Sequence, residues 1–303
     1  YTGCISVSAS YSKSDGTSLT VLNNLDTNNT NSGPEIEAIW DRFTKDHPSI
    51  TVQRDDQYGM SFDAKLAAMV ELKVLPDVVF VDKGTWNTTL QSKKLLKDLS
   101  PLLKKDGLET AYDKEMLDKA AVGYQGVIPS GMVNTHVMYI NNRVLKSCGL
   151  APAKTLDELK AQIPVLASKG KKPLLMANAE PWVMQSTLFS DIAARLCGPD
   201  WLIKIKTGEK KFTDTDFVAS LALVKSLYTD GILGPETLTA TYGDVPGPFL
   251  NDEYAYYIDG AWRISAIAPA QTEVQQADIL LGVFPRISDA APALTSAATA
   301  DNG

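Results

Sequence analysis

Apolar positions along the chain alternate between short β-type runs and longer stripes at helical spacing. Leu19-Thr20-Val21-Leu22 is a short β-rich run closed by the Asn-, Ser- and Gly-containing stretch Asn23–Gly33, which marks a loop. Pro34 stands where a helix can begin, and Ile36, Ile39, Trp40 and Phe43 follow at helical spacing up to His47-Pro48. Ile50-Thr51-Val52 predicts a second strand, and Phe62, Leu66, Met69 and Val70 a second helix. Pro76–Asp82 is apolar almost throughout, as suits a parallel strand covered on both faces. The order β-α-β-α-β predicts an α/β fold with an open, mostly parallel sheet and helices on both sides. Ligands bind outside the carboxyl ends of such strands. The loops there are Asn23–Ser32 and Lys83–Thr89, the second carrying Trp86.

The middle of the chain changes character. Val127–Gly131 reads as a strand that breaks at Pro129 and Gly131, and Val133–Ile140 as another β-rich run. Asn141–Cys148, Thr155–Lys169 (interrupted by Pro164) and Ser186–Leu196 read as helices, and Phe217, Leu221, Val224 and Leu227 stripe one more. Lys172–Met176, Tyr254–Ile258 and Leu280–Pro285 read as strands. No repeat period is present. A length of 303 residues argues for two domains. The opening pattern and the paired strand breaks at Pro129 and Pro285 place residues 18–125 and 282–303 in domain one and 126–281 in domain two, after an N-terminal tether at 1–17.

Charge and composition narrow the function. Acidic residues number 36 and basic ones 29, for a net charge of -7, which lends no support to nucleic-acid binding. No run of 18 apolar residues is present to span a membrane. Cys4, Cys148 and Cys197 match no zinc or CxxC redox spacing, so Cys148 and Cys197 read as small, half-buried hydrophobes, with a disulfide between them the less favoured alternative. Two histidines, His47 and His136, are too few for a His-rich metal centre. No GxSxG, HExxH or phosphate-cradling GxxxxGK[ST] motif occurs, and no cofactor is expected. Tyr1-Thr2-Gly3-Cys4 resembles the end of a bacterial lipoprotein signal peptide, and the Ser-rich residues after it read as a flexible tether. A lipid anchor at Cys4 is therefore expected, holding the protein to a membrane outside the cytoplasm.

Several fragments, in order, resemble a known family. Phe43–Val52 matches a helix ending in F…P before a strand, and Pro76-Asp77-Val78-Val79 a PDVV entry to the third strand. Gly126–Pro129, Met138–Leu150, Pro152 and Thr155–Leu159 match a G…P strand followed by lyYN…f…Gl…P.T.dEl. Phe249–Trp262 matches f..g.aAm...G.W, and Gly282–Arg286 a gv.P strand. The chain is thus similar to the bacterial extracellular solute-binding proteins of the sugar-binding, maltodextrin-binding-protein-like type. That resemblance implies a two-domain periplasmic-binding-protein fold with crossing hinge strands. It also implies a sugar or oligosaccharide captured in an interdomain cleft, delivery to the transmembrane subunits of an ABC importer, a monomeric state and no catalysis. The family continues for several helices beyond the gv.P strand, so the C-terminal part of the fold is expected to be missing.

A sugar is apolar on its CH faces and polar at its edges, so its site needs aromatic platforms and side chains that bond hydroxyls. Trp86, Trp182 and Trp262 lie on inferred loops or helix starts at strand ends, whereas Trp40 sits on a helical stripe that suits core packing and Trp201 suits packing of a helix end. Asn24 and Asp26 follow the first strand, Asp82 closes the third, and Asp259 closes the strand before Trp262. Tyr58 follows the second strand and Tyr242 lies in a Gly- and Pro-rich loop. Turn formation alone also suits the Asn and Asp residues. Two other readings stand beside this one: a carbohydrate hydrolase using Asp82 and Asp259, and a polyamine- or anion-binding relative of the same fold.

Overall fold

The computed structural model of the chain describes residues 18–25, 33–58, 60–81, 85–129, 133–268, 270–287 and 298–300. The chain forms two compact units, one running to Met132 and taking back Ala300, the other spanning Val133–Thr299. The division thus falls at 132/133, against 125/126 in the expectation, and residues 282–299 group with the second unit.

In the first unit β1 (Ser18–Asn24) pairs in parallel with β2 (Thr51–Gln57) and β3 (Val78–Val79), in the order β2-β1-β3. Helices α1 (Gly33–Asp46) and α2 (Met60–Leu72) are the crossovers, so the β-α-β-α-β opening is as read from the pattern. Phe62, Leu66 and Met69 of α2 bury one helical stripe against Leu22, Val81, Leu90 and Val127. Each such side chain contributes about 1.5–3 kcal/mol when fully buried. The α1 stripe is shallower. Ile39 is exposed, and Trp40 is half-buried beneath the Arg54 guanidinium, 5.5 Å from its ring centroid, so core packing describes Trp40 only in part.

The third strand is shorter than its apolar run suggests, because a side chain intervenes. Asp77 accepts from Thr20 N at 2.9 Å and Thr20 Oγ1 at 2.8 Å, while its own amide donates to Thr20 Oγ1 at 3.0 Å. Val127–Pro129 is irregular rather than a strand; just before it the Gly126 amide donates to the Gln91 side-chain oxygen at 2.9 Å.

The second unit is built on a sheet with the path β5-β6-β4-β7. Strand β4 (Val133–Asn141) runs antiparallel to β6 (Tyr254–Gly260) and β7 (Ile279–Gly282), and β5 (Lys172–Leu175) runs parallel to β6. All seven residues of β6 are buried. Tyr256 and Ile258 pack into a cluster with Met138, Ile140, Leu159 and Phe284, and Tyr257 into another with Tyr139, Val245 and Phe249. The helix over Leu156–Ser168 is capped by Thr155, whose hydroxyl accepts from Glu158 N at 3.1 Å, and it runs on through Pro164. The helix expected from Ser186 is divided: a π-helix spans Met184–Phe189 and an α-helix Ser190–Cys197. Cys148 and Cys197 are both free, half-buried and buried respectively.

Candidate functional site

Four of the sequence-predicted residues, Trp182, Tyr242, Asp259 and Trp262, converge at the carboxyl end of β6. The strand closes on Asp259-Gly260, and the chain then turns through a single 3-10 turn, Ala261–Arg263, which carries Trp262. Trp182 arrives from the short helical turn Pro181–Val183, just before the π-helix. Its ring centroid is 4.9 Å from Tyr242 and 6.4 Å from Trp262, the latter pair tilted at 44°. Three aromatic rings thus form one shelf, and Trp182, 39% exposed, is its most open member.

Polar groups hold the shelf from behind. The Trp262 indole N–H donates to the Tyr242 hydroxyl, which donates to Asp259 Oδ1 at 3.2 Å. Asp259 also accepts from the Gly260 amide at 2.7 Å and from the Tyr257 hydroxyl. Arg263 Nε lies 3.5 Å from Asp259 Oδ2, and the guanidinium carbon sits 3.8 Å over the Tyr242 ring. Arg263 further donates to the Tyr242 carbonyl, and Glu180 Oε2 accepts from the Tyr242 amide at 3.0 Å. Burial pushes the Asp259 carboxyl above the usual carboxylate range, against the lowering pull of these donors and of Arg263. It also pushes the Tyr257 hydroxyl well above its ordinary value.

Asp259 has 0% exposure, and its oxygens accept from Tyr242, Tyr257 and the Gly260 amide, so it stands behind the shelf rather than on its surface. Its work is to fix Tyr242 and Arg263. The pattern of residues had not singled out Arg263, Glu180 or His136. His136 stands opposite Gly260 in the β4–β6 ladder, 1% exposed, with its ring 5.8 Å from Trp262 at 80°. Burial lowers its pKa to about 4. One of only two histidines, placed on a β-run beside the partner strand of Trp262, is the sequence signal that could have marked it.

The remaining candidates lie in the first unit. Asn24 is half-buried at the end of β1, and its Oδ1 is buried without a hydrogen-bond partner. Tyr58, 52% exposed, follows β2, where Gln57 pairs with Asn24. Trp86 is half-buried, packs against the Leu22–Phe62 cluster, and its indole N–H donates to Asp63 Oδ1 at 2.8 Å. Asp26, Asp82 and Cys4 lie outside the described residues. The first unit also has a groove of about 710 Å³ lined by Trp40, Leu75, Leu96, Leu99, Tyr112 and Val127. Two of its polar side chains are already engaged, Asn23 with Asp56 at 2.8 Å and Asp77 with Thr20.

Among the described residues there is no group of three metal-ligating side chains, and no helix is long and apolar enough to cross a membrane.

Comparison with known proteins places the fold. The profile of the bacterial extracellular solute-binding protein family matches residues 26–300, and the chain belongs to that family. No curated protein sequence is significantly similar to it. Solved structures share the fold. A chitin oligosaccharide binding protein superposes with a TM-score of 0.81 at 21% identity, over 94% of this chain and 71% of its own. A solute-binding protein, RafE, in complex with raffinose gives 0.70 at 21% identity, over 90% and 69%. A sugar transporter protein from Bacillus licheniformis in complex with stachyose gives 0.65 at 18% identity, over 94% and 73%.

Proposed function

We propose that the protein captures a sugar or oligosaccharide outside the cytoplasm and hands it to the membrane subunits of an ABC importer, without catalysing a reaction on it. The observation that carries this is the shelf of Trp182, Tyr242 and Trp262 on a buried Asp259–Arg263 pair. Aromatic faces accept the CH face of a pyranose and release its hydration water, which is favourable and non-directional. The family membership and the sugar ligands of the chitin oligosaccharide, raffinose and stachyose proteins support the same reading. Asn24, whose buried acceptor lacks a partner, stays a ligand-binding candidate of the first unit taken by itself. Anchoring through a lipid on Cys4 fits the family and its likeness to a probable secreted solute-binding lipoprotein from Streptomyces coelicolor. The proposed protein acts as a monomer.

A thermal-shift screen with mono- and oligosaccharides tests the binding claim. A ligand that binds only the folded state stabilises it by about 2.7 kcal/mol at roughly a hundred times its dissociation constant. A shift with at least one sugar, and no product formed from it, is the expected result. A shift with spermidine or an inorganic anion and with no sugar would replace the substrate class, and hydrolysis of an oligosaccharide would replace binding by catalysis.

A further inference from the structure

We infer that Gly260 is the positioning residue of the aromatic shelf: the side chain it lacks is the seat on which the Trp262 indole lies. The inference rests on reading the shelf as a ligand platform. Gly260 has φ -83° and ψ 161°. Any residue adopts that backbone geometry, so conformational freedom does not explain a glycine there. Trp262 does. A Cβ at position 260 would lie 2.2 Å from two atoms of the six-membered indole ring and 2.3 Å from a third. Carbon atoms pack at about 3.5–4.0 Å, so any side chain at 260 evicts the indole.

The ring is fixed on this seat from other directions. Its N–H is engaged by the Tyr242 hydroxyl, and the His136 ring meets it at 80°. The Tyr139 hydroxyl donates to the Gly260 carbonyl at 2.8 Å and so holds the seat itself. Both His136 nitrogens are buried without a hydrogen-bond partner, so the ring serves Trp262 as a neutral aromatic wall. A consequence for selectivity follows. With its N–H given to Tyr242, Trp262 meets a ligand through its ring alone, and this subsite selects the apolar face of a pyranose rather than a hydroxyl.

A double-mutant cycle on the whole chain tests the seat without any ligand. Gly260→Ala is expected to lower the thermal midpoint by more than about 4 °C and to change the near-ultraviolet circular dichroism of the tryptophans. In a Trp262→Ala background the same substitution should cost less than about 1 °C, because the obstructing ring is gone. Equal losses in the two backgrounds, or a Gly260→Ala/Trp262→Ala chain that fails to fold where Trp262→Ala alone folds, would overturn the inference. Titrations with raffinose and stachyose read the consequence. If the parent chain binds either sugar, Gly260→Ala should weaken it at least tenfold and add nothing further to Trp262→Ala; an unweakened Gly260→Ala counts against the seat. If the parent binds neither, those two sugars fall as ligands, and the stability cycle still decides the role of Gly260.

Discussion

The Tyr242 hydroxyl donates to Asp259 Oδ1 at 3.2 Å, joining an aromatic ring of the shelf to a carboxylate with no exposed surface. That carboxylate also serves Tyr257 and faces Arg263, itself only 8% exposed. Removing one member of a buried charge pair leaves the other uncompensated, typically at a cost of 3–5 kcal/mol. Asp259→Ala should therefore lower the unfolding free energy by about that amount, and Tyr242→Phe, which loses hydrogen bonds but no charge, by roughly 1–2 kcal/mol. Denaturant titration checks both. A loss below about 1 kcal/mol for Asp259→Ala would mean that the network does not hold the shelf.

His136 should leave a mark on acid stability. Its pKa falls from 6.5 to about 4 on folding. Between those values the unfolded chain binds a proton that the folded chain refuses, so stability decreases as the pH falls through this window and the loss is complete below pH 4. A shift of this size corresponds to roughly 3 kcal/mol. The difference in stability between pH 7 and pH 4 should be smaller by about that amount in His136→Phe, which keeps the aromatic wall and removes the titration. An identical pH dependence in the two proteins would show that His136 is not held neutral by burial.

Trp182 separates binding from stability. At 39% exposure it contributes little to the core, so Trp182→Ala should change stability by less than about 1 kcal/mol while weakening sugar affinity tenfold or more. Equilibrium unfolding and a fluorescence titration on the same variant measure the two effects. A large loss of stability with unchanged affinity would make Trp182 a structural residue.

The alternation of helical stripes and β-runs made the first unit legible because β1, α2 and β2 each follow one period. The limits were local. Apolarity over Pro76–Asp82 predicted a long third strand, but the Asp77 carboxylate takes the Thr20 amide, and no hydrophobic pattern reveals such a bond. The same holds at the site. Trp182, Tyr242 and Trp262 could be ranked from strand ends and loops, since placement there is a matter of topology. Asp259 was legible as a residue at the end of a strand but not as one turned inward, because β6 is buried on both faces and alternation along it therefore carries no information about exposure. His136 meets Gly260 only through the β4–β6 pairing, 124 positions away in sequence, and Arg263 turns inward onto Asp259 and Tyr257 of the strand just before it, which no hydrophobic pattern reveals. Trp86 is half-buried against the first unit's core, and in sequence a tryptophan at a strand end looks the same whether it packs there or faces a ligand.

Isothermal titration calorimetry of the chain, Trp262→Ala and Trp201→Ala with raffinose, stachyose and chitin oligosaccharides tests the central claim most directly. Trp201 packs among Phe189 and Phe217 in the same unit, away from the shelf residues, and serves as the control for loss of a tryptophan. The account predicts that at least one sugar binds the parent chain, that Trp201→Ala binds it equally well, and that Trp262→Ala binds it at least tenfold more weakly, a difference of about 1.4 kcal/mol or more. Equal sugar affinity in the parent and in Trp262→Ala would contradict it.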